Sequence, residues 1–131
     1  VKALRPSVKV IGVQPKGSQA VYRSFHEGRI CEVAEPETIC DALIAARPGT
    51  IPFEHVQQYV DDVVLVSDDQ AREAIRALAS TTKLVVEPGG AVGVAAVASG
   101  AIDVQGKTVV ALVSGGNIAM AMLGEILSCE S

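Results

Sequence analysis

Apolar, β-branched runs recur along the chain, and stretches of mixed apolar and polar residues separate them. The runs predict buried strands at residues 8–13, 63–66 and 108–113. The stretches between and after them predict helices at residues 20–26, 35–46, 53–59, 67–81, 90–99 and 118–127. Residues 1–4 are expected to end a helix that Pro6 terminates, so that the chain begins inside a longer domain. This alternation predicts a three-layer α/β/α fold with a mainly parallel sheet of about four strands.

Two of the predicted helices have opposite hydrophobic patterns. Residues 67–81 place Ala71, Ile75 and Leu78 on one face, which predicts an amphipathic helix with Ser67 as its cap. Residues 90–99 are Ala, Gly and Val up to a final Ser, and this pattern predicts a helix that is buried on every side.

The run at 108–113 leads into Ser114, Gly115, Gly116 and Asn117, followed by a predicted helix. Glycines allow a sharp turn and a close approach to a ligand, and open α/β sheets bind ligands at the carboxyl ends of their strands. We therefore expect a binding site at this turn, with a hydroxyl, an amide and free backbone N–H groups. The alternative is that Ser114 only caps the following helix.

Glu87 is a second candidate because it interrupts a very apolar stretch, residues 84–98. A buried carboxylate needs either a partner or a function. The alternative is that Glu87 caps the helix that begins near Pro88. The sequence leaves both roles open.

Composition narrows the class of protein. The 131 residues are 49% hydrophobic and 3% aromatic, without Trp, and carry a formal charge of −4. These values predict one α/β domain, residues 1–131, with a core of small side chains. Scattered basic residues indicate no nucleic-acid or membrane partner, and no apolar run is long enough to span a bilayer. Three cysteines without metal-type spacing predict free thiols and a cytoplasmic protein.

Several other motifs fail on inspection. The sequence Gly106-Lys107-Thr108 resembles the end of a P-loop, but Ala101 replaces the required glycine. The glycines of 89–93 do not form a dinucleotide fingerprint because Ala91 occupies the second glycine position, so they are expected to serve helix packing.

The histidines and the acidic pairs also lack a catalytic or metal-binding pattern. His26 and His55 are expected at the surface, with no partners for a triad or a metal. Helix capping and the helix dipole explain the pairs 61–62 and 68–69 at least as well as a metal does.

Five segments, taken together, resemble the C-terminal part of the large domain of fold-type II pyridoxal-phosphate enzymes, the threonine dehydratase and serine racemase family. They occur in the family's order and cover nearly the whole chain, so the combination is far more specific than any one of them. The segments are 10–15 (VIGVQP), 36–41 (PETICD), 60–63 (VDDV), 84–93 (LVVEPGGAVG) and 112–118 (LVSGGNI).

The resemblance implies that pyridoxal phosphate is the cofactor and assigns residues to it. Ser114 would hydrogen-bond the pyridine nitrogen, and Gly115, Gly116 and Asn117 would shape the turn beside the ring. Glu87 corresponds to the family's acidic residue near the same ring edge. The pair Asp41 and Ala42 corresponds to an Asp-Gly whose backbone faces the cofactor.

The chain also departs from the family pattern. Ala119 and Ala42 replace an aspartate and a glycine of the family, and Gln14 replaces a glutamate that binds an activating divalent cation in many members. An amide adds no charge to a Mg²⁺ or Ca²⁺ site, so no metal is expected. In the family, the lysine that bears the cofactor lies in a Ser-x-Lys-x-Arg-Gly motif. The lysines of this chain do not lie in such a motif; they are Lys2, Lys9, Lys16, Lys83 and Lys107.

The resemblance implies deamination of L-threonine or L-serine, with serine racemisation as the nearest related activity. This chain alone is expected to be inactive, as one piece of a larger catalytic domain. It is expected to associate with itself or with a complementary chain, through strands 8–13 and 63–66 left partly uncovered. Two alternatives stay open: a non-enzymatic α/β binding or interaction module, and a nucleotide-binding half-domain that uses the Ser114-Gly115-Gly116 turn.

Overall fold

The computed structural model describes residues 1–128. Within them it contains two strands, five α-helices and a short 3₁₀ turn at Asp41–Leu43. The strands and helices, in chain order, are β1 Ile11–Pro15, α1 Ala20–Glu27, α2 Thr50–Tyr59, β2 Asp62–Val66, α3 Asp68–Thr82, α4 Pro88–Ala98 and α5 Met120–Ser128.

The two strands pair in parallel and form the middle layer. Ile11 lies opposite Asp62, and Pro15 lies opposite Val66. Side chains alternate between the faces of a sheet. Val64 and Val66 face the cluster formed with α3, α4 and α5, while Val63 is buried toward the opposite face, where α1 packs. The three-layer α/β/α fold is therefore confirmed, although the described residues contain two strands instead of about four.

The amphipathic helix predicted at 67–81 is confirmed as α3, including its cap. The Ser67 hydroxyl accepts the Gln70 N–H at 3.2 Å, and the Gln70 side chain accepts the Ser67 N–H at 2.8 Å, which completes a capping box. Ala71, Ala74 and Ile75 are buried on its inner face.

The buried helix predicted at 90–99 is also confirmed, as α4. Its Ala91, Ala95 and Ala96 are almost fully buried in the core cluster. Small side chains on this helix let the neighbouring α3 pack closely against it, as the composition predicted.

The helix predicted at 35–46 is wrong, because only the 3₁₀ turn forms there. Glu35 has a left-handed φ of 52°, and side-chain oxygens accept the N–H groups of Ile39 and Cys40 in place of helix carbonyls. At the helix end predicted for residues 1–4, the structure has a single turn, in which the Val1 carbonyl accepts the N–H groups of Leu4 and Arg5.

The buried strand predicted at 108–113 is the largest error. This segment is mostly exposed, with Val110 at 90% and Leu112 at 80% of full exposure. Its N–H groups make no backbone hydrogen bonds within the part of the chain that the structure describes. A strand forms only beside a neighbour that pairs with it, and none is available here.

The strands predicted to be partly uncovered differ in their burial. Val63 and Val66 are buried, whereas Val8 is 45% exposed and residues 10–13 are only partly buried. Further exposed apolar side chains lie in 108–113 and at Leu84 and Val85. No helix in the described range is long and apolar enough to cross a membrane.

Candidate functional site

Glu87 holds the turn at 114–117 from two sides. Its N–H donates to the Gly115 carbonyl at 3.2 Å, and its carboxylate accepts the Asn117 N–H at 3.0 Å. Gly115 has a φ of +80°, and a Cβ there would lie 2.5 Å from the Glu87 carboxylate. The turn therefore needs glycine at 115 for both its conformation and this contact.

The capping alternatives for Glu87 and Ser114 are wrong. Glu87 stands at the N-cap position of α4, but its side chain makes no capping hydrogen bond. Helix α5 begins only at Met120, well beyond Ser114. The Ser114 side chain is exposed, and its hydroxyl makes no hydrogen bond to the described residues. Ser114 is therefore free to bind a ligand.

Gly90 of α4 supports the same turn from beneath. A Cβ at Gly90 would lie 1.9 Å from the Ser114 carbonyl oxygen, which is far inside van der Waals contact. The backbone of the turn therefore rests directly on the α4 backbone. This contact gives a physical reason for the glycine that follows Pro88-Gly89.

Asp41 and Ala42 lie in the 3₁₀ turn on the other side of the α4 N-terminus. The Asp41 carboxylate accepts the Ala42 N–H at 2.8 Å, and both residues are exposed. A Cβ placed on Gly89 would lie 3.5 Å from the Ala42 Cβ. The extra methyl of Ala42 therefore lies close to the start of α4.

A cleft of about 230 Å³ joins these regions. It is lined by Thr38, Ile39, Asp41, Pro88, Asn117, Ile118, Ala119 and Met122. The cleft thus brings Asp41 and Asn117 to one surface, and Glu87 binds the backbone of Asn117 beside it. Complete small-molecule pockets are roughly 300–1,000 Å³, so this cleft has the size of one part of such a site.

Sequence reasoning missed Thr38 and Ile39 as lining residues. They lie in the segment that was predicted to be a helix, and local pattern does not indicate which side chains of that segment meet Asn117. The sequence signal that could have found them is the position of Thr38 only three residues before Asp41.

Gln14 and the histidines have structural partners. The Gln14 side-chain oxygen accepts the Tyr22 N–H at 2.8 Å and so supports the first turn of α1. His26 Nε2 lies 3.0 Å from the Val63 carbonyl, and His55 Nδ1 lies 2.9 Å from the Ile51 carbonyl. Within residues 1–128, no group of three or more acidic, His or Cys side chains could hold a metal ion.

The described cysteines are free and buried. Burial raises the pKa of the Cys40 thiol from its ordinary 9.0 to about 11, and burial is also the main cause that raises the pKa of Cys31. Both thiols are therefore protonated and unreactive near neutral pH. Cys129 lies outside the described residues.

Known proteins resemble this chain over nearly its whole length. The catabolic L-threonine dehydratase of Escherichia coli K12 is 38% identical over 128 residues, which are 96% of this chain and 39% of that protein. The L-threonine ammonia-lyase of Thermotoga maritima is 40% identical, over 98% of this chain and 32% of its own length.

A solved structure, that of maize serine racemase, superposes with a TM-score of 0.86 at 32% identity. The match covers 95% of this chain and 39% of that one, so the chain spans well under half the length of these relatives. The profile of the family described as "Pyridoxal-phosphate dependent enzyme" matches residues 1–115. This chain therefore belongs to the pyridoxal-phosphate dependent enzyme family, in its fold-type II branch with the threonine dehydratases and serine racemases.

Proposed function

We propose that residues 1–131 form one wall of the pyridoxal-phosphate site in an enzyme that removes ammonia from L-threonine or L-serine, as part of a single larger α/β domain. The observation that carries this proposal is the turn at 114–117, in which Glu87 binds the backbone of Asn117 and Asn117 lines the cleft. The names of the similar proteins support the choice of substrates.

The described residues fit the cofactor in shape and chemistry. The cleft combines apolar surface from Ile39, Pro88 and Met122 with the polar groups of Asp41 and Asn117. Such a mixture suits a flat aromatic ring that carries polar substituents. A Cβ at Gly116 would lie 2.9 Å from the Val85 carbonyl oxygen, so the turn packs closely on the backbone of Val85 and needs a glycine there.

When bound, pyridoxal phosphate supplies the electron sink for breaking bonds at the amino acid. In this proposal Ser114 hydrogen-bonds the pyridine nitrogen through its hydroxyl. A neutral hydroxyl makes the ring less electron-withdrawing than a carboxylate partner would, and this suits elimination at the β-carbon. Glu87 holds Ser114 in place through Gly115 and Asn117, and Asp41 with Ala42 bounds the opposite side of the ring.

Titration of the chain with pyridoxine 5′-phosphate, followed by amide NMR, tests the site directly. This probe has no aldehyde, so it does not react with surface lysines. We expect shifts at 114–117, 87 and 41–42, several-fold weaker binding in Ser114→Ala, and retained binding in Ser114→Thr. Ser80→Ala, on the exposed side of α3, is the control. Shifts confined to other residues would contradict the proposed site.

A chimera tests the activity. This chain would replace the matching segment of the Escherichia coli dehydratase, and 2-oxo acid release from L-threonine and L-serine would be measured along with serine racemisation. We expect 2-oxo acid release that Ser114→Ala lowers at least tenfold. A folded chimera without activity on either substrate would favour the non-enzymatic binding or interaction module, which Ala42, Gln14 and Ala119 support. Tighter binding of a nucleotide than of pyridoxine 5′-phosphate would favour the nucleotide-binding alternative.

The proposal extends to assembly and location. We propose a cytoplasmic protein, because its buried cysteines are free, and association with a second copy or a complementary chain, because residues 108–113 expose apolar surface.

A further inference from the structure

Asp68, the first residue of α3, reaches across to a loop thirty residues earlier in the chain. Its Oδ1 accepts the Thr38 hydroxyl, and its Oδ2 accepts the Ile39 N–H at 3.1 Å. The Thr38 oxygen in turn accepts the Cys40 N–H at 3.2 Å. One carboxylate thus organises three consecutive residues that lead into Asp41.

Helix α3 does not need this carboxylate to begin. Ser67 and Gln70 already form its capping box, and both Asp68 oxygens are committed to the loop. Asp69, the next residue in the same turn, is exposed and makes no hydrogen bond or ion pair with the described residues. Both aspartates lie in the first turn of α3, where a negative charge interacts favourably with the helix dipole. They therefore differ in what they contact and not in their relation to the dipole.

The loop that Asp68 holds is one wall of the cleft. Thr38, Ile39 and Asp41 line the cleft from this loop, and Asn117, Ile118 and Ala119 line it from the segment that follows the glycine turn. Asp68 itself does not line the cleft. Hydrogen bonds to a charged acceptor are strong and directional, so this carboxylate fixes the backbone two and three residues before Asp41.

We propose that Asp68 is a positioning residue that sets the Asp41 wall of the cleft and thereby the fit of a ligand between Asp41 and Asn117. The identity of that ligand rests on the proposed function, whereas the positioning role does not. Nothing in the sequence pattern distinguishes Asp68 from Asp69, so the assignment comes from the tertiary contacts alone.

Hydrogen exchange on the 131-residue chain tests the positioning role without a ligand. Asp68→Ala should speed exchange of the Ile39 and Cys40 amides at least tenfold and leave amides in the middle of α3 unchanged. Asp69→Ala removes an equal charge from the same turn and should leave Ile39 and Cys40 unaffected. Equal effects of the two substitutions would overturn the proposal, because they would trace the change to the helix dipole.

Thr38→Val provides a second variant that keeps the shape of the loop and leaves α3 intact. It should reproduce the faster exchange of Cys40, and adding Asp68→Ala to it should increase that exchange by less than the two single effects combined. Fully additive effects would overturn the proposal, and this variant decides the question even if Asp68→Ala fails to fold.

Titration with pyridoxine 5′-phosphate tests the consequence for binding. In Asp68→Ala we expect the shift at Asp41 to disappear while the shift at Asn117 remains, a selective loss that general destabilisation would not produce. Parallel loss at both residues would contradict a positioning role. If the unsubstituted chain shows no shifts, the proposed function fails, and the exchange results still decide the role of Asp68.

Discussion

At the scale of single residues, carboxylates organise the candidate site without forming ion pairs there. The Glu87 carboxylate accepts the backbone N–H of Asn117 in the turn, and the Asp68 carboxylate accepts the backbone N–H of Ile39 and the Thr38 hydroxyl in the other loop. A carboxylate can accept several hydrogen bonds, so one side chain can hold an irregular segment that has no regular backbone pairing. The positions of Ser114 and Asp41 therefore depend on residues that need not contact a ligand.

Removing the Glu87 carboxylate should loosen the turn. We expect Glu87→Ala to speed exchange of the Asn117 amide and to lower the free energy of unfolding by about 1–2 kcal/mol, since a hydrogen bond to a charged acceptor is lost. Glu87→Gln should retain most of both properties because its amide oxygen can still accept the N–H. Glu73→Ala, at an exposed site on α3, is the control, and an Asn117 amide that exchanges equally slowly in Glu87→Ala would refute the tether.

The buried Cys40 thiol predicts a pH dependence of stability. Its pKa is about 11 in the folded chain and about 9 when unfolded, so the folded state retains the proton longer as pH rises. The contribution of this pKa difference to the free energy of unfolding is fully present below pH 9. It is lost as pH rises from 9 to about 11, and its full size is about 2–3 kcal/mol.

Denaturant unfolding at pH 8 and pH 10.5 checks this dependence. The decline between these values should be smaller in Cys40→Ala than in the unsubstituted chain. Identical declines would show that Cys40 titrates normally in the folded state.

At the scale of elements, α4 connects the two halves of the site. Its start carries Glu87 and Pro88, its first turn supports Ser114 through Gly90, and its small side chains pack into the core against α3. Because this helix is buried and closely packed, it is a rigid support for the irregular segments on either side.

Substitution of Gly90 should therefore displace the turn. The Cβ of Gly90→Ala would lie 1.9 Å from the Ser114 carbonyl oxygen, so we expect a loss of more than about 2 kcal/mol in stability and large NMR shifts at 114–117. Gly124→Ala in α5 meets nothing within 4 Å and should stabilise by about 0.5–1 kcal/mol, as alanine favours a helix. Thermal unfolding of both variants separates the effects, and a neutral Gly90→Ala would show that the turn is not supported by α4.

At the scale of the whole molecule, several exposed apolar side chains lie together in residues 109–113. Val110 and Leu112 are 90% and 80% exposed, and Val109 and Val113 are exposed beside them. Extended segments with free N–H groups and apolar side chains are ready to pair with another strand. This surface is the physical basis for the proposed association.

Light scattering over a dilution series should show self-association of the chain. Substituting both Val110→Lys and Leu112→Lys should shift the chain toward monomer, because charges on an extended edge oppose pairing. Leu4→Lys changes a residue that is 87% exposed elsewhere and should have little effect. A chain that stays monomeric at high concentration and binds no hydrophobic dye would contradict this prediction.

Local patterns in the sequence predicted a large part of the fold. All five helices were predicted from residues that are close together in the sequence. For α3 the signals were its amphipathic spacing and the Ser67 cap, and for α4 the signal was a wholly apolar pattern. The strand predicted at 63–66 is β2, and the strand predicted at 8–13 is shifted to Ile11–Pro15. The five family segments likewise identified the family, since that information lies in residue order.

Only the tertiary structure decided the geometry of the candidate site. Whether 108–113 forms a strand depends on a neighbouring strand, and within 35–46 the hydrogen bonds of Thr38 and Ile39 go to Asp68, which lies far away in the sequence. The contacts of Glu87 with Asn117 and of Gly90 with Ser114 also join residues separated by more than twenty positions. Hydrophobic periodicity reports local conformation and burial, whereas such pairings depend on how distant segments meet, so the residues that hold the site in place could be identified only from the folded chain.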